Sequence, residues 1–560
     1  MNNQQARNSA FPWRGHVLIR FAVCSLALWL PLEASAQETK SQSWVGGIAA
    51  GGFVGITLTI SEQAAGKTAT LDFVNQGPER QNLPVREVSV EGGRLRLKWD
   101  EPDGIAMLEG SQKIVDGEEV IEGVFTQGKQ TGPFFLTRGA TIPRAVIAKD
   151  FGLFATSTNG LLWLGPVSEL NRRPAFVDVQ TGRLGALYPR KSNQYISGPT
   201  ALVPFPADVT LTVTERDTTG RAMKILVARR GRAATVAERK DVYDVENVVF
   251  TNDTVKLAGS VITPKGKGPW PAVVFIHGSG GSTREYFSSL PYLLASRGVA
   301  SLIYDKRGSG ESTGNRHISP FEMLADDALA GVHLLRSRAD IDSTRIGVYG
   351  HSQGGWVAPL AAFRSKGKVA FVVAVAGPAD DFQRQTNDEI ENNVRALSIG
   401  EDAVQKALEY QDLWWRVYRH RAPYGDLATL TAQSKTEAWY PYTFGLKSEA
   451  NFTMDPPGAY DPAPVLQNLR VPILAVYGES DNRVLARKNA VRMRSALKLA
   501  GNRDVTVKLF PNADHDMIIA AGKGSDGYLA RSRYADGYLE YLVRWIVDHT
   551  KATRTNRPID

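Results

Sequence analysis

The pentapeptide Gly350–Gly354, which reads Gly-His-Ser-Gln-Gly, contains the serine whose setting best fits nucleophilic chemistry. It follows the apolar run Ile346–Tyr349 and opens a segment with a helical pattern. A strand that turns sharply into a helix strains the serine backbone and exposes its hydroxyl above a sheet. The first turn of such a helix also offers unpaired N–H groups to developing negative charge. The spacing therefore predicts that Ser352 is a nucleophile.

A serine nucleophile needs a general base, which is most often histidine. The chain has only eight histidines, so their positions along the chain discriminate among them. His515 follows the apolar run Val505–Phe510 and precedes the last predicted helix, as expected for a loop at the top of a sheet. His351 adjoins the nucleophile, but its side chain is expected to point elsewhere. We therefore predict that His515 is the base.

The acid that orients the base should follow the preceding strand, which is predicted at Ile473–Tyr477. Asp481 is the preferred residue there, and Glu479 is the alternative. The order Ser352, Asp481, His515 reproduces the order nucleophile, acid, base that accompanies a G-x-S-x-G turn. In such a triad the acid holds the imidazole tautomer and stabilises the imidazolium without taking the proton.

Acyl transfer at a serine also requires hydrogen-bond donors for the oxyanion. His277–Gly281, which reads His-Gly-Ser-Gly-Gly, follows the apolar run Ala272–Ile276, and its glycines allow close backbone approach. We predict that the donors are the N–H groups of Gln353 and Ser279, with Gly278 as the alternative to Ser279. The loop lacks the G-x-x-x-x-G-K-[ST] pattern of a phosphate-binding loop.

The elements that must position these residues alternate between strand and helix from Val242 onward. Apolar runs separated by amphipathic segments predict a mostly parallel sheet covered by helices on both faces. The stretch from about Ala379 to Arg470 interrupts this pattern with helical segments that are dense in aromatic residues. It lies where ligands bind in open sheets, so we predict a cap. Its aromatic residues form either the core of the cap or part of a pocket wall.

Two β-rich units are predicted ahead of this region. Short alternating runs fill the stretch from about Trp44 to Arg138, and two of them flank Gly92-Gly93. Two adjacent glycines accept positive φ, so they predict a hairpin within an antiparallel barrel or sandwich. A second unit of the same kind is predicted from about Phe151 to Glu238.

Composition excludes several classes of protein. The 560 residues, of which 43% are hydrophobic and 22% charged, describe a soluble globular chain of several domains. The net charge of +8 is scattered, so no nucleic-acid partner is expected. A single cysteine excludes a disulfide framework and a thiolate zinc site. No metal or cofactor is predicted.

The first 36 residues have the three parts of a secretory signal: early arginines, the apolar run Phe21–Leu32, and the small residues Ala34–Ala36 before Gln37. The apolar run is too short to span a bilayer. Cleavage after Ala36 would remove Cys24, which lies in a poor lipidation context. We therefore expect a periplasmic or secreted protein without stable membrane insertion after cleavage; an uncleaved anchor is the alternative.

The predicted organisation has six parts. They are a signal peptide at 1–36, a β-rich domain at 37–145, a second β-rich unit at 146–240, a catalytic α/β domain at 241–378 and 471–550, a helical cap at 379–470, and a tail at 551–560.

Residues from about Val242 to Asp548 resemble the α/β-hydrolase superfamily. The resemblance rests on G-H-S-Q-G-G at Gly350–Gly355, H-G-S-G-G at His277–Gly281, D-K-R-G-x-G-x-S at Asp305–Ser312, D-P-x-x-x-L at Asp461–Leu466 and G-E-S-D at Gly478–Asp481. It implies a mostly parallel, doubly wound α/β-hydrolase sheet with a helical cap, preceded by two small antiparallel β-rich units. Asp305 and Arg307 are expected to pin a loop near the site.

Within the superfamily, the chain is similar to secreted bacterial esterases of the serine-aminopeptidase-like or dienelactone-hydrolase-like groups. The front region, with Trp44–Gly47 and Ile121–Gly128, resembles a lipocalin-like accessory region of such enzymes. The serine nucleophile separates the chain from true dienelactone hydrolases.

These features predict a secreted serine esterase that cleaves small-molecule, lipid or glycan esters through an acyl-enzyme. A peptidase or acyltransferase with the same triad is the alternative, in which Glu389, Glu391 or Asp426 of the cap would hold a substrate ammonium. A glycan- or lipid-binding protein is the third reading. The β-units are expected to dock near the cap and to affect substrate size. The sequence does not define the oligomeric state.

Overall fold

The computed structural model describes residues 40–551 except 51–52, 65, 75–79, 103, 116, 129, 158–159, 171, 316–318, 447, 450–459 and 521–529. The predicted signal segment and its cleavage site lie outside the described residues, as does the tail from 552 onward. Three large sheets of nine, nine and eight strands follow one another along the chain.

The first sheet is an antiparallel meander in which the first strand also pairs with the ninth. Its strands are β1 (Lys40–Ala49), β2 (Phe53–Gln63), β3 (Gly66–Val74), β4 (Leu83–Pro84), β5 (Glu87–Glu91), β6 (Arg94–Glu101), β7 (Gly104–Val115), β8 (Glu118–Gln127) and β9 (Gln130–Arg138). Gly92 and Gly93, with φ of 56° and 74°, form the predicted hairpin turn. Val85 and Arg86 link the two edge strands, and their N–H groups donate to carbonyls of β3 and β6. The sheet thus closes into a barrel, the first barrel.

The second sheet repeats the same strand order, with its fourth and fifth strands at the edges. Its strands are β10 (Gly152–Thr156), β11 (Leu161–Val167), β12 (Arg173–Asp178), β13 (Leu184–Ala186), β14 (Tyr188–Lys191), β15 (Gln194–Ser197), β16 (Val209–Arg216), β17 (Ala222–Arg229) and β18 (Thr235–Arg239). A short helix α1 (Arg144–Ile147) precedes it. Leu187 links the two edge strands: its N–H donates to the carbonyl of Pro174 in β12, and the next residue, Tyr188, pairs with Ile196 of β15. This sheet therefore closes in the same way as the first, and we call it the second barrel. Both accessory sheets are antiparallel, as predicted.

The third sheet has the order β19-β20-β22-β21-β23-β24-β25-β26. Its strands are β19 (Tyr243–Asn252), β20 (Val255–Pro264), β21 (Trp270–Ile276), β22 (Ala300–Tyr304), β23 (Ile341–His351), β24 (Val372–Val375), β25 (Ile473–Gly478) and β26 (Val505–Phe510). β20 pairs antiparallel with β19 and β22, and the pairs from β22 through β26 are parallel. Two short strands, β27 (Ile518–Ala520) and β28 (Arg531–Tyr534), form a separate pair. The predicted doubly wound α/β fold is confirmed.

Helices cover this sheet and form the cap. They are α2 (Leu290–Ala295), α3 (Phe321–Arg336), α4 (Gln353–Arg364), α5 (Phe382–Ala396), α6 (Glu401–Tyr418), α7 (Tyr424–Ser434), α8 (Ala463–Leu466), α9 (Ala486–Leu499) and α10 (Tyr538–Thr550). The cap consists of α5, α6 and α7, between β24 and β25. Among the described residues, no helix is both long and apolar enough to cross a membrane.

The apolar cores show how the parts are joined. One face of the third sheet packs with α3, α4 and α9, where Val274 and Val348 are fully buried. The opposite face packs with α2 and α10, and its core also takes in Val177 and Leu184 of the second barrel. The second barrel and the α/β unit therefore share one continuous core. Because burial of apolar surface is the main stabilising contribution, the two fold against each other as one body.

The loop after β22 is pinned by two carboxylates, as the sequence predicts for Asp305 and Arg307. Asp305 accepts hydrogen bonds from the Arg284 guanidinium and from the N–H of Glu311. The Arg307 guanidinium donates to Asp327 of α3 over 2.6 Å, and both side chains are almost fully buried.

Two neighbouring aspartates of α3 allow a matched test of this pin. Asp327 pairs with buried Arg307, whereas Asp326 pairs with Arg364 at the surface, where both side chains are over a third exposed. We predict that Arg307→Met lowers the free energy of unfolding by about 3 kcal/mol, because it leaves a buried carboxylate without its cation. Arg364→Met should lower it by less than about 1 kcal/mol. Urea unfolding measures both values, and equal losses would contradict the prediction.

Candidate active site

Ser352 lies at the junction of β23 and α4 with φ 56° and ψ −118°. Such a conformation is rare for a residue with a side chain. The flanking glycines make it possible: a Cβ on Gly350 would lie 1.9 Å from the carbonyl oxygen of Gly354. A Cβ on Gly354 would lie 2.4 Å from the carbonyl oxygen of Ile276. The predicted strand–turn–helix is therefore present.

The structure brings the predicted serine, histidine and aspartate into one hydrogen-bonded line. Ser352 Oγ lies 2.9 Å from His515 Nε2, and His515 Nδ1 lies 2.8 Å from Asp481 Oδ2. The other oxygen of Asp481 accepts the N–H groups of Arg483 and Val484, which fixes the carboxylate. Asp481 thus joins the line, whereas Glu479 pairs with Arg487, so the geometry favours Asp481 as the acid.

The partners of His515 define its protonation. A carboxylate only accepts, so the ring proton is assigned to Nδ1, and Nε2 is left to accept from the Ser352 hydroxyl. Burial acts to lower the pKa of His515, but the charge and hydrogen bond of Asp481 outweigh it and raise the pKa above its usual value. The imidazole is thus oriented as a base toward the serine.

The predicted oxyanion donors flank the same serine. The N–H of Gln353 belongs to the first turn of α4, and the Gly278 loop lies beside the serine, because a Cβ on Gly278 would lie 3.4 Å from the Cβ of Ser352. Gly278 is buried, whereas Ser279 is exposed. The N–H of Ser279 stays the predicted second donor, with that of Gly278 as the alternative.

Lys306 is a residue of the site that sequence reasoning missed. Its buried ammonium donates to the carbonyl oxygen of Gly278 over 2.8 Å and to the side-chain oxygen of Gln353 over 2.6 Å. It thus ties together the two segments that carry the predicted oxyanion donors. The only sequence signal is its place between Asp305 and Arg307, because a lysine in a polar loop normally predicts an exposed side chain.

His351 forms two hydrogen bonds beside the site that were not predicted from the sequence. A carbonyl oxygen only accepts, so the ring proton is assigned to Nε2, which donates to the carbonyl of His515 over 3.1 Å. Nδ1 then accepts the Tyr286 hydroxyl over 2.6 Å. Burial and the neighbouring His515 lower the pKa of His351, which keeps this ring neutral. Tyr286 and His351 therefore connect the 3-10 turn Arg284–Phe287, which follows the Gly278 loop, to the main chain of His515.

The cap contributes one acidic residue toward this site. On α5, Gln385 donates to the carbonyl of Arg483 and Asn392 to that of Asn482, so this helix face packs on the loop that begins at Asp481. Glu389 lies on the same face, within one helical turn of both. Burial raises the pKa of Glu389, while Arg483 and His515 act to lower it.

The other predicted cap residues lie elsewhere. Glu391 pairs with Arg395 of its own helix, and Asp426 is exposed. Trp414, Trp415 and Trp439 are buried in the core of the cap, which favours the structural reading for these three aromatic residues. Among the described residues, no group of three or more His, Cys, Asp or Glu side chains could hold a metal ion.

Comparison with known proteins identifies relatives of the α/β unit. Residues 273–523 match a family model described as the alpha/beta hydrolase family. Esterase EstD of Thermotoga maritima is 28% identical over 322 residues, which cover 56% of this chain and 71% of EstD. Esterase FrsA of Escherichia coli is 29% identical over 165 residues, which cover 28% of this chain and 38% of FrsA.

Quorum-quenching protein AidA of Acinetobacter baumannii is 28% identical over 137 residues, or 24% of this chain and 45% of AidA. The chain thus spans less than half of both AidA and FrsA. Among solved structures, an esterase of Pyrococcus furiosus aligns over 49% of this chain and 84% of its own, at 20% identity and a TM-score of 0.33. A dienelactone hydrolase of Anabaena variabilis aligns over 55% and 96%, at 16% identity and a TM-score of 0.31.

The bridging role of Lys306 generates a prediction. Lys306→Met should lower kcat on small ester substrates by about tenfold or more with little change in KM, because losing one oxyanion donor typically costs about 100-fold. Steady-state kinetics of the folded variant measure this. Lys498→Met removes an exposed lysine of α9 and should leave kcat unchanged. A tenfold rise in KM at constant kcat would contradict a role in the oxyanion site.

Proposed function

We propose, from the premise that this chain contains an α/β hydrolase, that it is a serine carboxylesterase that works through an acyl-enzyme. The observation that carries the proposal is the continuous line from Ser352 Oγ through His515 to Asp481 on a strained strand–helix turn. The similarity to esterases EstD and FrsA supports ester hydrolysis as the reaction.

Acylation follows from this geometry. Ser352 Oγ attacks the carbonyl carbon of the ester while its proton passes to Nε2 of His515, and the carbonyl electron pair moves onto oxygen. The N–H groups of Gln353 and Ser279 stabilise that oxyanion, each by about 3 kcal/mol. Asp481 stabilises the imidazolium. When the oxyanion collapses, the carbon–oxygen bond to the alcohol breaks and the leaving oxygen takes the proton from His515.

Deacylation repeats the sequence with water. His515 removes a proton from a water molecule as that water attacks the acyl carbon, and the same donors stabilise the second oxyanion. The collapse breaks the bond to Ser352 Oγ, which recovers its proton from His515. The products are a carboxylic acid and an alcohol, and every group of the site returns to its starting state.

The proposal extends to location and substrate. The N-terminal signal pattern supports a periplasmic or secreted enzyme with cleavage after Ala36. Its substrates would be small-molecule, lipid or glycan esters.

A second candidate function is hydrolysis of aminoacyl esters or amides by the same triad. The observation that favours it is Glu389, a carboxylate of the cap that lies beside the Asp481 loop and interacts electrostatically with His515. A carboxylate at this position would attract a substrate ammonium. Turnover of amino-acid p-nitroanilides at rates above those of p-nitrophenyl esters would favour this reading over the esterase.

The proposed nucleophile is tested directly by Ser352→Ala. This variant should lose turnover of p-nitrophenyl acetate and covalent labelling by a fluorophosphonate, because both require Oγ. Circular dichroism should match that of the wild type. Substantial turnover by the folded variant would reject the mechanism, and wild-type protein that binds esters without cleaving them would favour a binding protein.

The proposed base generates a pH prediction. His515 must be neutral to accept a proton, and Asp481 raises its pKa above 6.5. We therefore expect kcat/KM to rise with pH with a midpoint above 6.5. Asp481→Asn should lower kcat by about 10⁴-fold, because the tautomer is no longer held. Its midpoint should move to lower pH, since burial then acts unopposed by the carboxylate.

Glu479→Gln is the matched control for Asp481→Asn. Glu479 lies two residues earlier on the same loop and pairs with exposed Arg487. Its substitution should change neither kcat nor the midpoint. Equal losses in the two variants would contradict the assignment of Asp481.

A further inference from the structure

The loop that carries His515 leads into β27, and the partner of β27, strand β28, is hydrogen-bonded to the second barrel. β27 begins three residues after His515 and pairs with β28. The N–H of Tyr534 in β28 donates to the carbonyl of Gly182 over 2.9 Å. The N–H of Ala201 donates to the carbonyl of Arg531 over 2.6 Å. The small sheet of the histidine loop is therefore extended by the main chain of the barrel.

Side chains strengthen the same contact. The Tyr534 hydroxyl donates to Glu169 over 2.8 Å, and Glu169 lies in a 3-10 turn of the second barrel at Ser168–Leu170. The other oxygen of Glu169 accepts the Ser288 hydroxyl over 3.3 Å. Burial and repulsion from Asp516 raise the pKa of Glu169 to about 7. Near neutral pH this side chain therefore has a protonated fraction, which an amide can imitate.

The path from this contact to His515 is short. Ile518 is opposite Tyr534 in the β27–β28 register, and the N–H of Ala535 donates to the carbonyl of Met517. These four residues are almost fully buried, and they belong to the core that the barrel shares with the α/β unit. A shift of β28 therefore moves residues that directly follow the histidine.

Strand β28 also holds the His515 loop through ion pairs. Arg531 of β28 donates to Asp514 over 2.7 Å and to Asp516 over 2.8 Å, the residues on either side of His515. Gly182 fits closely against β28, because a Cβ there would lie 2.7 Å from the carbonyl oxygen of Tyr534. The backbone of β28 is thus constrained from the barrel side and in turn constrains the histidine loop.

We propose that the second barrel positions the catalytic histidine, by holding β28 through Gly182, Ala201 and Glu169 and thereby fixing the loop of His515. This inference rests on the proposed function, in which His515 is the base. It differs from the expectation that the β-units dock near the cap and select substrates by size. A positioning role affects every ester alike, because the proton transfer is common to all of them.

The test uses Tyr534→Phe in the full chain, which removes one hydroxyl and keeps the ring. Misplacing a catalytic group by about 1 Å can cost about 100-fold. Because the backbone pairing remains, we expect kcat to fall about tenfold on p-nitrophenyl acetate and on a long-chain ester alike. KM should stay unchanged, and the midpoint of kcat/KM against pH should fall as the His515–Asp481 contact loosens.

Two variants of Glu169 provide independent readouts. Glu169→Leu removes the acceptor and should reproduce the loss seen in Tyr534→Phe. Glu169→Gln keeps an oxygen that accepts the Tyr534 hydroxyl, so it should retain kcat within about twofold of the wild type, a change below about 0.5 kcal/mol. Tyr195→Phe is the matched control, because the Tyr195 hydroxyl is also buried and bonds a carboxylate, that of Asp150, within the second barrel. It should leave kcat unchanged.

The results of these variants distinguish a positioning role from substrate selection by size and from general stabilisation. A loss confined to the long-chain ester, or wild-type kcat in both Tyr534→Phe and Glu169→Leu, would overturn the positioning role. An equal loss in Tyr195→Phe would also overturn it, in favour of general stabilisation by the barrel. Wild-type turnover that persists in Ser352→Ala would instead reject the proposed function, so the two failures are distinguishable.

Discussion

The hydrogen bond between Ser352 and His515 is the constraint on which the rest of the site depends. It joins residues that are 163 positions apart, across 2.9 Å, and each comes from a loop at the same edge of the sheet. Parallel strands β23, β25 and β26 present their carboxyl ends together, so serine, acid and base follow three strands of one sheet. A small displacement of any of the three loops would break the hydrogen bonds between Ser352, His515 and Asp481. Contacts around the site oppose such displacements.

Buried polar contacts connect these loops to one another. Lys306 links the Gly278 loop to the first turn of α4. Tyr286 and His351 link the turn that follows this loop to the main chain of His515. Buried polar groups are tolerated only when their hydrogen bonds are made, so such contacts favour one arrangement over nearby alternatives. The segments that carry the proposed oxyanion donors and the proposed base are thus held together by buried hydrogen bonds.

The two barrels contact each other, and the second barrel contacts the α/β unit that carries the site. The two barrels share a strand order, and the second one also shares an apolar core with the α/β unit. Arg173 of the second barrel donates to the carbonyl of Gly46 in the first, and Arg190 pairs with Glu118. Contacts therefore run from the first barrel through the second to β28 and the histidine loop. This continuity gives the β-rich region a physical connection to the triad.

The sequence by itself determined the local parts of the protein. Strand–turn–helix patterning predicted Ser352, chain order predicted His515 and gave preference to Asp481, and apolar runs predicted the parallel sheet and the Gly92-Gly93 hairpin. Each strand, turn and helix start in this prediction depends on residues close together in the chain. Only the tertiary structure placed Asp481 rather than Glu479 against His515, brought Lys306 between two loops, and placed Glu169 against Tyr534, which lies 365 positions away. Residue type and spacing specify the local backbone conformation. Contacts between residues far apart in the sequence form only when whole helices and strands pack together and bury their polar groups.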